Sequence, residues 1–263
     1  MHFSAEIIGK HFFELYAKQN EQVIVEIGSQ SVNGGLRNHA PPACQYIGLD
    51  FVVGDGVDII LDDPYSFPLD NNVADIIVSS SVFEHAEHFW LTFLEGMRIL
   101  KDGGFFYINA PSNGYFHRYP QDCWRFYPDS ANALCRWGRK NGYDVNVVEC
   151  FTASIERRIL VNDQVIIFTK GKTSPALSVK LSDKVRTFNQ AIVENGLVKD
   201  YCNMQEADQM ATFLKQLING YNKIKTTFPE GNMRNSQDLS QEDQNFLFNY
   251  VVEMEKLMTK IDF

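Results

Sequence analysis

Short apolar runs alternate along the chain with longer amphipathic or polar stretches. Residues 23–27, 45–49, 57–61, 74–79 and 105–109 are strand-length runs, each closed by polar or turn-forming residues. Residues 90–100 put Trp90, Phe93, Leu94, Met97 and Leu100 on one broad face, which predicts a helix. Lys101-Asp102-Gly103-Gly104 predicts a turn between that helix and the next strand. Residues 2–20 carry Phe3, Ile7, Ile8, Phe12, Leu15 and Tyr16 at helical spacing, so an amphipathic helix precedes the first strand. Pro128-Asp129-Ser130 opens a further helix that stops at Asn141-Gly142. Residues 145–150 and 165–169 are two more strands with no clear helix between them, which predicts an antiparallel pair.

Strands alternating with helices imply an α/β fold. The expected architecture is a Rossmann-like, doubly wound sheet of about seven strands, mostly parallel with a final antiparallel strand. After Lys170 the pattern changes. Gly171-Lys172-Thr173-Ser174-Pro175 reads as a linker, and residues 176–196, 203–225 and 240–261 read as helices. The last begins at Ser240, with Asp243 three residues on and Leu247, Val251, Met254, Met258 and Ile261 at helical spacing. Residues 228–239 form a polar loop between helices. Residues 1–172 are therefore expected to form one domain and 173–263 a C-terminal helical extension that acts as a lid, packs on the core or forms a homodimer face.

Composition narrows the function classes. The chain has 263 residues, 44% hydrophobic and 13% aromatic, enough for a sizeable core. Its formal net charge of -9 argues against a nucleic-acid groove, which needs a basic stripe. Five scattered cysteines without a Cys-x-x-Cys pair suit reduced thiols and a cytoplasmic setting, and give a zinc site little support. No segment reaches the ~20 apolar residues of a membrane span.

In an open parallel sheet, ligands bind at the carboxyl ends of the strands. Four polar ends meet there: Glu26 with the Gly28 turn, Asp50, the pair Asp62-Asp63, and Ser79-Ser80-Ser81. A carboxylate beside a glycine turn suits a cationic ligand better than a pyrophosphate. The segments VIVEIGSQSVNGGLR, YIGLD, DDPYSFPLDNNVADIIVSSSVFEH, RILKDGGFFYINAPS and HRYPQDCWRFYPDS, spanning residues 23 to about 130, resemble class I S-adenosylmethionine (SAM)-dependent methyltransferases of the type 11 kind. The last segment is similar to methyltransferases of surface-polysaccharide biosynthesis.

That resemblance implies SAM as cofactor, S-adenosylhomocysteine as product, and a small-molecule acceptor. It implies that Glu26 helps position the methionine end, that Gly28, Ser29, Gln30 and Asn33 of the turn bind the cofactor, and that Asp50 holds the ribose hydroxyls. Phe51 then either flanks the adenine or is a core residue, Asp63 or Asp62 faces the adenine amino group, and Ser80 at the fourth strand's end also meets the cofactor. The family's common pattern is acidic-x-Gly-x-Gly-x-Gly. Here Gln30 and Val32 stand at the second and third glycine positions, and Asn33, Gly34 and Arg37 follow. Arg37 either pairs with the methionine carboxylate or is a surface residue. Glu84-His85 resembles the family's Glu-His pair, and His85 either organises the pocket or acts in the chemistry. Carboxylate and imidazole at Glu84, His85 and His88 suit a metal, but three close residues do not define a site, and no metal is expected.

The polar, aromatic segment 117–126 is long for a connection, a profile common in functional loops. His117 can serve as general base, with Asp122 orienting it or replacing it. Arg118 and Arg125 can hold a phosphate or carboxylate, and Tyr115, Tyr119 and Trp124 can stack on a sugar. The expected reaction is methyl transfer to an oxygen of a sugar or phosphorylated sugar. Quinone, lipid or amine acceptors are the nearest rivals. A nicotinamide-dependent oxidoreductase would need Gly-x-Gly-x-x-Gly, which Gln30 and Asn33 interrupt. A non-catalytic assembly protein would explain the apolar tail face but not the intact Asp50, Asp63 and 117–125 loop.

Overall fold

Among the described residues, the central sheet carries an apolar core on each face. In the computed structural model, residues 3–32, 34–114, 116–153, 162–171, 178–191 and 198–200 are described, with single positions at 218, 245, 249 and 252. The chain divides into two units, Met1–Asn203 and Met204–Phe263. The elements are α1 (Phe3–Tyr16), β1 (Val23–Ile27), β2 (Gln45–Asp50), β3 (Ile59–Ile60), β4 (Ala74–Ser80), α2 (Phe89–Ile99), β5 (Leu100–Pro111), α3 (Asp129–Lys140), β6 (Val145–Ala153) and β7 (Asp163–Lys170). Short pieces β8 (Thr187–Phe188), β9 (Gln190–Ala191) and β10 (Val198–Lys199) follow.

The main sheet runs β3-β2-β1-β4-β5-β7-β6-β8. Pairings among β1 to β5 are parallel, and β5–β7, β6–β7 and β6–β8 are antiparallel. The sheet is α/β, doubly wound and mostly parallel on one side, as expected. An eighth strand, the two-residue β8, is added at the edge. The chain starts at β1, runs outward to β3, and returns to β4. The carboxyl ends of β1 and β4 therefore flank the switch point, the place where such sheets bind ligands.

Alternation along the strands feeds one core on each face. Val25, Ile77, Phe106 and Ile108 pack with Phe93 and Met97 of α2 and with Leu134 and Cys135 of α3. Ile24, Ile76, Val78 and Tyr107 pack instead with Ile8, Phe12, Phe13 and Tyr16 of α1. Each fully buried side chain of this size is worth roughly 1.5–3 kcal/mol.

Three expectations need correction. The turn at 101–104 lies inside β5, where the register jumps from Ala74↔Leu100 to Ile76↔Phe105. The extra residues are absorbed as a bulge, with Gly103 at φ +79°. The strand expected over 57–61 pairs at Ile59 and Ile60 alone, since Asp58 is drawn off to Gly48 and Arg37. The helix expected over 176–196 is replaced, within its described residues, by a 3₁₀ turn at Leu181–Asp183 and the short strands β8 and β9. The buried Glu149 carboxylate accepts from the amides of Leu181 (2.8 Å) and Ser182 (3.0 Å) and from the Tyr16 hydroxyl. That anchor overrides the helical spacing of the apolar residues. The helices expected over 203–225 and 240–261 and the loop 228–239 lie outside the described residues, apart from Ile218, Asn245, Asn249 and Val252, whose backbone is helical.

Asp163, at the start of β7, is buried and accepts a 2.7 Å hydrogen bond from Ser4 of α1. Burial pushes its carboxyl up to about 6. The native state therefore keeps a proton that the unfolded chain has lost, so this group's contribution is complete below pH ~4 and is lost as pH rises through about 6. Between pH 5 and 7.5 the unfolding free energy is expected to fall by roughly 1 kcal/mol through this residue. Urea denaturation of wild type and Asp163→Asn checks this: the variant should show that much less decline.

Candidate active site

The turn after β1 is a tight one that needs glycine and packs closely on its neighbours. Gly28 has φ +74°, and its amide and that of Ser29 both donate to Leu49 O of β2, at 2.8 and 3.0 Å. A Cβ on Gly28 would stand 2.2 Å from Val82 Cγ2. Gly28→Ala therefore meets both a strained φ and a hard contact, for an expected loss of ~1–3 kcal/mol. Adding Val82→Ala should restore the contact part only, which thermal melts of the single and double variants would resolve.

Glu26, next to last in β1, is buried. The Tyr46 hydroxyl donates to its Oε2 at 2.9 Å. Burial nevertheless pushes its carboxyl up to about 7, against the pull of Tyr46 and Arg37. Ser29 Oγ and Ser80 Oγ are buried at the ends of β1 and β4 without hydrogen-bond partners. Two unpartnered buried hydroxyls at these strand ends leave polar capacity there for a ligand.

Asp50 ends β2. Its Oδ2 accepts from the Gln30 amide (3.0 Å) and its Oδ1 from the Val52 amide (3.1 Å). These bonds fix the carboxylate while leaving it lone pairs, because an ionised carboxylate has about four acceptor sites. Phe51, Val52 and Val53 follow, all exposed. Three consecutive exposed apolar residues beside a fixed carboxylate match the needs of a nucleoside: polar contacts for the sugar and an apolar surface for the base.

Other predicted residues take different places. Asp62 and Asp63 are exposed, and Asp63 Oδ1 accepts from the Tyr65 amide at 2.8 Å, closing its own turn. Arg37 is built into the protein. It donates to Gly56 O at 3.0 Å, pairs with Asp58 and lies 4.7 Å over the Tyr46 ring. Asn33 and Tyr115 lie outside the described residues.

The segment after β5 packs against the segment after β4. Glu84 O accepts from the amides of Cys123 (2.7 Å) and Trp124 (3.1 Å). His85 Nδ1 meets Gln121 O, and Gln121 Nε2 donates back to His85 O at 3.0 Å. The carbonyl requires a proton on Nδ1, which leaves Nε2 as the acceptor of the neutral ring. Burial lowers the His85 pKa and favours that neutral form. The rings of His85 and His117 meet edge to face, centroids 5.1 Å apart.

Asp122 ties this loop together. Its side chain is 1% exposed and takes a bidentate pair from Arg125, Nη1 at 2.5 Å and Nη2 at 2.8 Å. It also accepts from the His117 amide at 2.8 Å and lies 3.4 Å from His117 Nδ1. The Arg125 guanidinium holds its carboxyl at about 2. So low a pKa suits Asp122 to orienting His117 and not to replacing it as base. Arg125 is committed to Asp122. Arg118 is exposed and makes no hydrogen bond or ion pair among the described residues, so it is the cation available to an incoming anion. Trp124 donates from Nε1 to Ala86 O at 3.0 Å and packs edge-on against Phe89. The Tyr119 hydroxyl donates to Gln30 Oε1 at 3.2 Å, joining this loop to the turn after β1.

Tyr46, Val82 and Gln121 shape the site but were not singled out from sequence. Tyr46 had a signal: it alternates with Gly48 and Asp50 on one face of β2. Val82 and Gln121 act through contacts between loops, which periodicity does not report.

Residues 31–108 match the family model described as a methyltransferase domain. No curated protein sequence matches the chain. Among solved structures, the chain is similar to 1,6-didemethyltoxoflavin-N1-methyltransferase of Burkholderia thailandensis, at 12% identity, 65% of this chain and 78% of that one, TM-score 0.49. It is also similar to a complex of the Trm112 methyltransferase activator and a putative methyltransferase of Haloferax volcanii, at 16% identity over 63% and 89% of the two chains, TM-score 0.47. A third is a putative S-adenosyl-L-methionine-dependent methyltransferase of Methanococcus maripaludis, at 18% identity over 65% and 87%, TM-score 0.42.

Proposed function

We propose that the chain is a SAM-dependent methyltransferase that moves a methyl group to an oxygen of a sugar or phosphorylated sugar. The observation that carries the cofactor reading is Asp50, fixed by two backbone amides beside exposed Phe51 and across from the Gly28 turn. The methyltransferase-domain match over residues 31–108 supports it. Asp50 would hold the ribose hydroxyls, Phe51 the adenine, and Glu26 with Ser29 and Ser80 the methionine end. A cation arriving there favours the ionised form of Glu26.

When bound, SAM supplies a methyl group already activated by its sulfonium. The protein's task is then alignment, which can contribute roughly 7–11 kcal/mol, and deprotonation of a weakly acidic hydroxyl. His117, oriented by Asp122, would take the acceptor hydroxyl's proton when the methyl group passes from the sulfonium to the hydroxyl oxygen and S-adenosylhomocysteine leaves. Such a base typically adds ~10²–10⁴-fold. Exposed Arg118 favours an anionic acceptor, and exposed Tyr119 and Trp124 offer faces for a sugar ring.

Radiolabelled SAM with a panel of nucleotide sugars and sugar phosphates tests the reading. Label should enter a sugar acceptor, and Arg118→Ala should raise KM for phosphorylated acceptors more than for neutral ones. Label entering only quinone, lipid or amine acceptors would reject the sugar assignment. A thermal shift with NAD and none with SAM would reject the cofactor.

A further inference from the structure

Glu84, His85 and His117 come from two different loops, yet one ligand-type atom of each lies within 4.8 Å of the others. Glu84 Oε1 stands 3.7 Å from His85 Nε2, close to the ~3.4 Å edge of a tetrahedron with bonds near 2.1 Å. The Glu84 side chain is 1% exposed and its Oε2 is buried without a hydrogen-bond partner. An isolated buried carboxylate oxygen is costly, and a cation is one of the few groups that would satisfy it.

The surroundings have the form of an outer ligand shell. A metal-bound histidine usually gives its other ring nitrogen to a carbonyl or carboxylate, which fixes tautomer and orientation. His85 Nδ1 is held by Gln121 O, so its Nε2 lone pair is turned to Glu84. His117 has the buried Asp122 carboxylate 3.4 Å from Nδ1. Asp122 is itself pinned by Arg125. Both imidazoles are thus oriented by groups that are in turn fixed.

We propose that Glu84, His85 and His117 form a binding site for a divalent transition-metal ion, with Zn²⁺ the best fit. Two imidazoles and one carboxylate suit Zn²⁺ and its neighbours, and do not suit Mg²⁺ or Ca²⁺, which prefer all-oxygen shells. Three protein ligands leave a position open, the form of a catalytic and not a purely structural site. The inference deepens the methyltransferase reading of this site. With a cation bound, His117 would serve as a ligand instead of as the base: the cation would lower the acceptor hydroxyl's pKa and the proton would pass to solvent. This replaces the sequence expectation, which considered His88 as the third residue and expected no metal. His88 is exposed, and His117 stands in its place.

Metal binding is measurable without any acceptor. The full chain, dialysed against chelator, is titrated with Zn²⁺ by calorimetry and with Co²⁺ by visible absorption. One equivalent should bind, with a Co²⁺ spectrum of low coordination number. Glu84→Gln and His117→Ala should each weaken binding at least ~10-fold, while His88→Ala leaves it unchanged. His117 is partly exposed, so His117→Ala tests the proposal even if Glu84→Gln fails to fold. Absence of stoichiometric binding, or binding indifferent to His117→Ala, overturns the inference. Calorimetry with S-adenosylhomocysteine on the same preparation separates the two readings. Cofactor binding without metal binding removes this inference alone, and metal binding without cofactor binding removes the methyltransferase reading alone.

Discussion

Asp50→Ala is expected to weaken S-adenosylhomocysteine binding by about 10²–10⁴-fold, read by isothermal titration at pH 7.5. The magnitude follows from losing the two charge-assisted hydrogen bonds proposed between Asp50 and the ribose, roughly 1.5–3 kcal/mol each. The variant also releases the amides of Gln30 and Val52, which loosens the turn after β1. Asp50→Asn separates the two effects. Its amide oxygen still accepts from one backbone amide, so the loop stays in place while the charge is gone, and an intermediate loss is expected. Equal binding in wild type and Asp50→Ala would rule out this end of β2 as the ribose site.

Arg125→Ala should produce the largest loss of stability, about 3–5 kcal/mol by urea denaturation at pH 7. Breaking one side of a buried ion pair leaves the other charge uncompensated, and the Asp122 side chain is 1% exposed. The pH dependence carries the same mark with a definite sign. Arg125 holds the folded Asp122 pKa at about 2, below its value in the unfolded chain. That stabilisation is complete above pH ~4 and is lost as pH falls toward 2. In Arg125→Ala the acid-side decline should flatten. In an Asp122→Asn background the Arg125 substitution should cost far less, because no stranded charge remains. Similar costs in both backgrounds would assign the effect to lost packing by the guanidinium.

Much of the sheet was legible because buried parallel strands read as near-continuous apolar runs. β1, β2 and β4 begin where the pattern puts them and end within a residue of it. The antiparallel pair β6 and β7 was legible from the absence of a helical insertion between them. The failures have local causes. Gly103-Gly104 carries every mark of a turn, yet the pairing of Leu100 with Ala74 draws it into a bulge. Residues 176–196 have helical spacing, but the buried Glu149 carboxylate, distant in sequence, captures two amides there.

The site divides in the same way. Residues at strand ends, such as Glu26, Gly28, Asp50 and Ser80, could be read because the fold alone brings strand ends together. Contacts between loops could not. No spacing says that Gln121 grips His85 from both sides, that Asp58 takes Arg37, or that Arg125 serves Asp122 and leaves Arg118 to face solvent.

The hydrogen bond from Tyr119 to Gln30 makes one residue a member of two loops, since the Gln30 amide also holds Asp50. Whatever steadies Gln30 from the Asp50 side steadies Tyr119, and the reverse holds with equal strength. Linkage then requires that the factor by which cofactor tightens acceptor equal the factor by which acceptor tightens cofactor. Tyr119→Phe cuts that link while keeping the ring, so the two partners should come to bind as strangers.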